Sequence, residues 1–140
     1  MILLDTNVIS AMTHSLVDPV LEKWLDQQVE EDVWTTSITV FEIELGLAIM
    51  PSGRKQTELR EAWDIVRLVE LKDRVVGFDA AAARAASALA GCRKRQRTAI
   101  EIRDTQIAGI ALARGATVAT RNINHFRDLD TPVVDPWNVA

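Results

Sequence analysis

The sequence predicts an α/β fold in which a mainly parallel central sheet carries helices on both faces. Short apolar segments typical of buried strands alternate along the whole chain with longer segments whose apolar residues recur at helical spacing. This order is expected for a parallel sheet, because parallel neighbours need a crossover connection and that connection is usually a helix. The chain has 140 residues, which fits one compact domain, so we treat residues 1–140 as a single domain.

The first third of the chain contains two strands and two helices. Residues 2–4 form a short apolar strand, and Asp5 directly after it can cap a short helix. Asp18 caps the next helix, and Pro19 suits its first turn. Residues 33–36 are rich in side chains that favour strands and form the second strand.

Residues 40–50 fit two patterns. Apolar residues alternate with Glu42 and Glu44, as in a strand, but Phe41 and Leu45 would line one face of a helix. The two glutamates would share a face in a strand, whereas in a helix they would point roughly 200° apart and only one could reach a common site. The preceding strand and the breakers at 51–53 favour a helix.

The rest of the chain continues the alternation. Asp79 can cap an alanine-rich helix, and Gly115 can end the helix after it. In chain order we predict a helix at 54–70, a strand at 75–78, a helix at 80–90, a basic helix end running into a loop at 91–98, a helix at 103–114, a strand at 117–120, a loop or short helix at 124–129, and a strand at 133–134. In such a sheet the functional side chains collect at the carboxyl ends of the strands.

The composition narrows the class of protein. Apolar residues make up 48% of the chain and charged residues 26%, as in a packed globular domain. The single Cys92 cannot close an internal disulfide. No secretion signal opens the chain and no run of about eighteen apolar residues occurs, so we expect a cytoplasmic protein that does not enter a membrane. The net charge of −4 argues against broad coating of nucleic acid but is compatible with a local cation site.

Three carboxylates are predicted to meet at one edge of the sheet. Asp5 leaves the first strand at its carboxyl end, and Asp104 lies in the first turn of a helix, where the helix dipole favours an anion. Glu42 lies near the start of the helix after the second strand, and Asn122 adds a neutral oxygen after the strand at 117–120. Mg²⁺ takes oxygen ligands from one or two carboxylates and from water, so this set predicts metal-assisted phosphodiester chemistry.

The same positions carry a family resemblance. Four motifs resemble, in order and spacing, those of PIN-domain ribonucleases: Leu3-Leu4-Asp5-Thr6-Asn7-Val8, Thr39-Val40-Phe41-Glu42-Ile43, Asp104-Thr105-Gln106-Ile107-Ala108 and Thr120-Arg121-Asn122. The resemblance covers essentially the whole chain and is greatest to VapC toxins of the FitB-like subgroup, whose chains also end near a Pro-Trp such as Pro136-Trp137.

The resemblance implies a single PIN-like domain with metal-dependent endoribonuclease activity. It also implies a homodimer and a cognate VapB-like antitoxin, with DNA contacted only through that antitoxin. By position, Asp5, Glu42 and Asp104 match the acidic triad of the family. The departure is Asn122, where many members place Asp, and this bears on whether a second metal binds.

The expected mechanism follows from these acids. One Mg²⁺, or Mn²⁺ in its place, would be held by Asp5 and Asp104, while Glu42 would orient the attacking water or act as general base. The alternative from another class is a PIN-like protein without nuclease activity that only binds an antitoxin or serves a regulatory role. A zinc site is not expected, because His14 and His125 lie far apart in sequence.

Basic residues near these acids are candidates for contacts with RNA. The run Arg93-Lys94-Arg95 precedes Asp104 in sequence, and Arg121 is next to Asn122. Each could bind a phosphate of the RNA backbone. A basic run of this kind is usually a solvated helix end.

Overall fold

Five parallel strands form the centre of the molecule in the computed structural model, which describes residues 1–139. Every strand pair is parallel, as predicted. The strands are β1 (Ile2–Leu4), β2 (Val33–Thr36), β3 (Val75–Val76), β4 (Thr117–Ala119) and β5 (Val133–Val134).

Six α-helices connect and cover these strands within residues 1–139. They are α1 (Thr6–Met12), α2 (Pro19–Asp26), α3 (Ser37–Ile49), α4 (Arg54–Ile65), α5 (Ala80–Arg95) and α6 (Ile102–Arg114). Short 3₁₀ turns occupy Glu30–Asp32 and Ile123–Phe126, and a π turn occupies Val66–Glu70. Over the described part of the chain, no helix combines the length and the apolar character needed to cross a membrane.

The order of the strands places a crevice between β1 and β4. Across the sheet the order is β3-β2-β1-β4-β5. The chain therefore runs outward from β1 through β2 to β3, and then returns to start β4 on the other side of β1. Ligands of open parallel sheets bind at such a reversal, outside the carboxyl ends of the two strands.

The two faces of the sheet bury separate cores. Leu3 and Val118 point toward α5 and α6, whereas Leu4 and Ala119 point toward the layer formed by α1 to α4. Successive residues of a strand alternate between faces, and all four of these side chains are fully buried. Burial on both faces explains why the strands are continuous apolar runs and not alternating ones.

The capped helix starts were predicted correctly. Asp5 caps α1 by accepting a hydrogen bond from the backbone N–H of Thr6, and Asp18 caps α2 through the N–H of Val20. The ambiguous segment is helical, as predicted, and α3 begins at Ser37 because Thr36 accepts a hydrogen bond from the N–H of Thr39.

Two predicted helices hold, with a difference in detail for each. The segment predicted for 54–70 is α-helical to Ile65 and continues as the wider π turn Val66–Glu70, which leaves Leu68 at the surface. The alanine-rich helix continues past residue 90 to Arg95, and the chain then leaves it, as predicted for a helix end running into a loop at 91–98. Arg93 anchors this last turn through buried hydrogen bonds to other elements.

The packing of α5 on α6 explains the alanine-rich sequence of α5. A Cβ atom added to Gly109 in α6 would lie 2.5 Å from the carbonyl oxygen of Ala82 and 2.6 Å from the Cβ of Ala86. The two helix backbones are therefore as close as a glycine allows. This contact fixes the position of α6, the helix that carries Asp104.

Gly109→Ala is expected to destabilise the protein by about 1–3 kcal/mol, because the added methyl group forces two helices apart. Gly46→Ala is the matched control. Gly46 is in the interior of α3 and a Cβ there would meet nothing within 4 Å, so that change should be neutral or stabilising by up to about 1 kcal/mol. Urea unfolding of both variants measures the difference, and equal effects would contradict the close packing of α5 and α6.

Candidate metal centre

Asp5 lies at the crevice between β1 and β4. The residue is 3% exposed, and both of its carboxylate oxygens accept hydrogen bonds. One oxygen accepts from the backbone N–H of Thr6 at 2.8 Å, and the other accepts from the Thr120 hydroxyl at 2.7 Å and the Asn7 amide at 3.3 Å. Thr120 directly follows β4, so the ends of the two strands hold this carboxylate in one orientation.

Asp104 reaches the same edge from the first turn of α6. Its backbone N–H donates to the Glu101 carboxylate, which caps the helix, at 2.7 Å. Its own carboxylate contacts the ring nitrogen Nδ1 of His125. His125 belongs to the 3₁₀ turn that follows β4. Asp104 is therefore fixed between α6 and the segment after β4.

Glu42 contacts the sequence neighbours of both acids. Its Oε1 atom accepts a hydrogen bond from the hydroxyl of Thr6, the neighbour of Asp5, at 2.9 Å. Its Oε2 atom lies 3.6 Å from the guanidinium of Arg103, the neighbour of Asp104. The structure thus brings Asp5, Glu42 and Asp104 to one edge of the sheet.

Glu44 points away from this edge. Its carboxylate forms an ion pair of 2.7 Å with Arg60 on α4 and accepts a hydrogen bond from the indole of Trp63 at 3.3 Å. The helical form of α3 therefore separates the two glutamates, and Glu42 is the one that faces Asp5.

Burial dominates the electrostatics of Asp5 and Asp104, and repulsion from neighbouring carboxylates adds to it. Burial raises the pKa of Asp5, an effect only partly offset by the hydrogen bonds from Thr120 and Thr6, and the charge of Asp104 raises it further. Burial also raises the pKa of Asp104, against the lowering effect of His125, while the charges of Glu101 and Glu42 add to the rise. A bound cation would relieve this cost.

Comparison with known proteins identifies the family. The model of the PIN domain family matches residues 2–132. The chain belongs to the PIN-domain family. VapC ribonuclease Y4jK of Sinorhizobium fredii is 36% identical over 140 residues, which is 100% of both chains. Toxin FitB of Neisseria gonorrhoeae is 35% identical over 138 residues, 99% of both chains.

The PIN fold is also supported by a solved structure. A chain in the structure of FitAB bound to an IR36 DNA fragment superposes with a TM-score of 0.88 at 34% identity, and the match covers 100% of this chain and 98% of that one. The prediction of a single PIN-like α/β fold is confirmed.

The acids of this PIN domain fit a hard divalent cation. Among residues 1–139, no three His, Cys, Asp or Glu side chains form a ready-made cage for a metal. Mg²⁺ does not require one, because it is commonly held by one or two carboxylates and keeps several waters. The buried Asp5 and the partly buried Asp104 offer carboxylate oxygens that repel each other, and Glu42 adds a third carboxylate nearby. This oxygen-only set suits Mg²⁺ or Mn²⁺.

Asn122 lies on the rim of the PIN site. Its backbone N–H donates to the Thr120 hydroxyl at 3.0 Å, and the residue is exposed. Together with Arg121, His125 and Asp135 it lines a concavity of about 310 Å³. The contacts of Asn122 with the acids therefore run through its backbone and Thr120.

The four predicted RNA-binding residues have different surroundings. Lys94 and Arg95 are exposed at the end of α5. The guanidinium of Arg121 stacks on the Trp137 ring at 3.7 Å from its centroid, beside the site. Arg93 is buried and its guanidinium is occupied by protein acceptors, so the structure does not support the expectation that it contacts RNA.

Sequence reasoning missed two kinds of site residue. Thr6 and Thr120 orient Asp5 and Glu42, and each is next in sequence to a site residue or to a strand end. The spacing of His125 from His14 argues against a zinc site and does not indicate the contact with Asp104. The signal that could have found it is its position in the segment after β4, where the family motif places a site residue.

The pH dependence of stability tests the raised pKa of Asp104. A raised pKa means that the folded protein holds this proton more tightly than the unfolded chain, so stability is lost as the pH rises through that pKa. In EDTA-treated protein, Asp104→Asn should therefore raise the melting temperature at about pH 8, and its advantage should be lost as the pH is lowered to about 4, the ordinary range of an Asp carboxyl. Scanning fluorimetry measures this, with Glu61→Gln at an exposed position of α4 as control. An advantage that grows at low pH would contradict the assignment.

Asn122→Asp tests the rim position. An amide oxygen brings no charge, so a second divalent ion gains less from Asn122 than from Asp. We expect one tight cation per chain in the unaltered protein, and Asn122→Asp should strengthen a second, weaker Mn²⁺ by about tenfold, which corresponds to about 1.4 kcal/mol. Titration calorimetry of both forms measures this. Two equally tight ions in the unaltered protein would show that Asn122 is no handicap.

Proposed function

We propose that this PIN-domain protein is a Mg²⁺-dependent endoribonuclease that acts as the toxin of a type II toxin–antitoxin pair. One observation carries the proposal: Asp5, Glu42 and Asp104 meet at the carboxyl edge of β1 and β4, where burial and neighbouring carboxylates raise the pKa of Asp5 and of Asp104. The names of the full-length relatives, VapC ribonuclease Y4jK and Toxin FitB, support it.

Asp5 and Asp104 would hold the cation. When bound, Mg²⁺ would polarise a phosphoryl oxygen and lower the pKa of a coordinated water. The protein's own contribution begins with orientation, because Thr120 and the N–H of Thr6 fix the carboxylate of Asp5 before any substrate arrives. Such preorganisation avoids reorienting the ligand during the reaction.

Glu42 would act on the water. Its Oε1 atom is fixed by the Thr6 hydroxyl, so the carboxylate is aimed toward the space beside Asp5 and can orient the attacking water or accept its proton. Attack on phosphorus in line with the 3′-oxygen would break that P–O bond. The products would be a 5′-phosphate and a free 3′-hydroxyl.

RNA in single-stranded form is the expected substrate class. The deep groove of A-form duplexes is not readable by side chains, whereas loops expose both bases and phosphates. The exposed Lys94 and Arg95 and the stacked Arg121 are the candidates for phosphate contacts. The site of action would be the cytoplasm, where such RNA occurs.

An antitoxin would control the activity. From the family resemblance we expect a homodimer that binds a VapB-like antitoxin and contacts DNA only through it, and the similar FitAB was solved bound to a DNA fragment. The acids are a suitable target for an inhibitory Arg or Lys, because a guanidinium can fork across a carboxylate.

RNA cleavage by matched variants tests the nuclease proposal. Asp104→Asn should reduce cleavage by about 10²-fold or more while the protein stays folded, and EDTA should have the same effect on the unaltered protein. Glu42→Gln should also lower the rate. Glu44→Gln is the control from the other face of α3 and should cleave at nearly the normal rate. Full cleavage by folded, nuclease-free Asp104→Asn protein would leave antitoxin binding without nuclease activity as the better account.

The inhibitory contact has its own test. Inhibition of RNA cleavage should weaken by at least about tenfold when the tail of the cognate antitoxin is removed, because the basic side chain no longer reaches the acids. Kinetic titration of the toxin with full-length and shortened antitoxin measures this. Equal inhibition by the shortened form would place the inhibitory contact elsewhere.

A further inference from the structure

Arg93 is the buried charge that the proposed mechanism does not use. It lies near the end of α5 and is 4% exposed. Its Nε and Nη2 atoms donate to the two carboxylate oxygens of Asp128 at 2.8 and 2.7 Å. This forked ion pair has the geometry for which arginine is suited and lysine is not.

The remaining donors of Arg93 reach the two segments that hold Asp104. Its Nη1 donates to the Thr105 hydroxyl at 3.0 Å, and Thr105 is the next residue after Asp104 in α6. Its Nη2 also donates to the backbone carbonyl of His125 at 2.8 Å, and the ring of His125 contacts the Asp104 carboxylate. One guanidinium therefore ties the start of α6 to the segment after β4.

We propose that Arg93 is a positioning residue for the metal centre. By joining α6 to the His125 segment it keeps the Asp104 carboxylate in the orientation that binds the cation. The inference rests on the proposed metal site. Partners that orient a metal ligand from outside the coordination shell typically contribute about 10–100-fold to metal affinity.

The positive charge of Arg93 and its positioning role have opposite effects on the affinity for a cation. Asp128 raises the pKa of Arg93 most, and the charge of Asp104 also raises it, so Arg93 and Asp104 are close enough to interact. A positive charge beside a cation site weakens binding of the cation. If Arg93 acted only through its charge, its removal would tighten metal binding. If it only stabilised the fold, its removal would leave the metal affinity unchanged. Only a positioning role predicts that removal of Arg93 weakens metal binding.

Titration calorimetry with Mn²⁺ on the full chain separates these cases. Arg93→Ala should weaken Mn²⁺ binding by about 10–100-fold. The control is Arg74→Ala. Arg74 donates to the backbone carbonyls of Val33 at 2.8 Å and Glu70 at 3.1 Å, so it also joins two segments. It does so at the opposite edge of the sheet from the acids. Its affinity should stay within about twofold of the unaltered protein, because distant sites couple weakly. Thermal melts of both variants measure any loss of stability in parallel.

The results that overturn the proposal are specific. Unchanged or tighter Mn²⁺ binding by Arg93→Ala overturns it. The second variant, Arg93→Lys, keeps the positive charge but cannot form the forked ion pair with Asp128. It also replaces Arg93→Ala in the test if that variant does not fold. It should bind Mn²⁺ at least about tenfold more weakly than the unaltered protein. Normal binding by Arg93→Lys overturns the role of the fork.

An NMR measurement on metal-free protein tests this inference separately from the proposed function. The chain has two histidines, so the ring signals of His125 and His14 are easily assigned by NMR. In metal-free protein, Arg93→Ala should shift or broaden the hydrogen-bonded Nδ1 signal of His125, whereas Arg74→Ala should not. An unperturbed His125 signal overturns the positioning role. Absence of Mn²⁺ binding by the unaltered protein would instead overturn the proposed metal site, and the ring signal would still decide whether Arg93 fixes His125.

Discussion

The hydrogen bond from Thr120 to Asp5 joins the ends of β1 and β4, and the rest of the site depends on it. These two strands are neighbours only because the chain returns to the centre of the sheet after β3. The carboxylate of Asp5 is buried at that junction, where its charge is costly unless hydrogen bonds or a cation offset it. The sheet order thus determines both where the acid lies and why a cation would be favoured there.

Each of the three acids is oriented by a neighbour from another element. Thr120 holds Asp5, Thr6 holds Glu42, and His125 contacts Asp104. The repulsion among the acids would otherwise turn the side chains outward to solvent. Carboxylates that repel one another therefore need rigid neighbouring elements to stay together. The close contact of α5 with α6 at Gly109 makes α6, which carries Asp104, one of these elements.

The sequence was sufficient for the fold because local patterns and topology agree. Apolar strands buried on both faces, helix caps at Asp5 and Asp18, and strands separated by helical segments all indicate one parallel sheet. The π turn after Ile65 could not be predicted, because it changes the helix period without a distinctive residue. The burial of Arg93 was also beyond local reasoning, since its acceptor Asp128 lies 35 residues away in sequence. A basic run at a helix end has the same local pattern whether it is solvated or buried.

The rotation of α3 shows how one ambiguous segment determines the chemistry of the site. Glu42 and Glu44 are two residues apart, and a strand would have placed both on the same face. The helix instead directs Glu44 to Arg60 and Trp63 on α4, away from the crevice. Thr39 and Leu47 are the buried residues of α3, and with that face inward Glu42 faces Thr6 and the crevice. The helical period of α3 thus determines which carboxylate is available to the site.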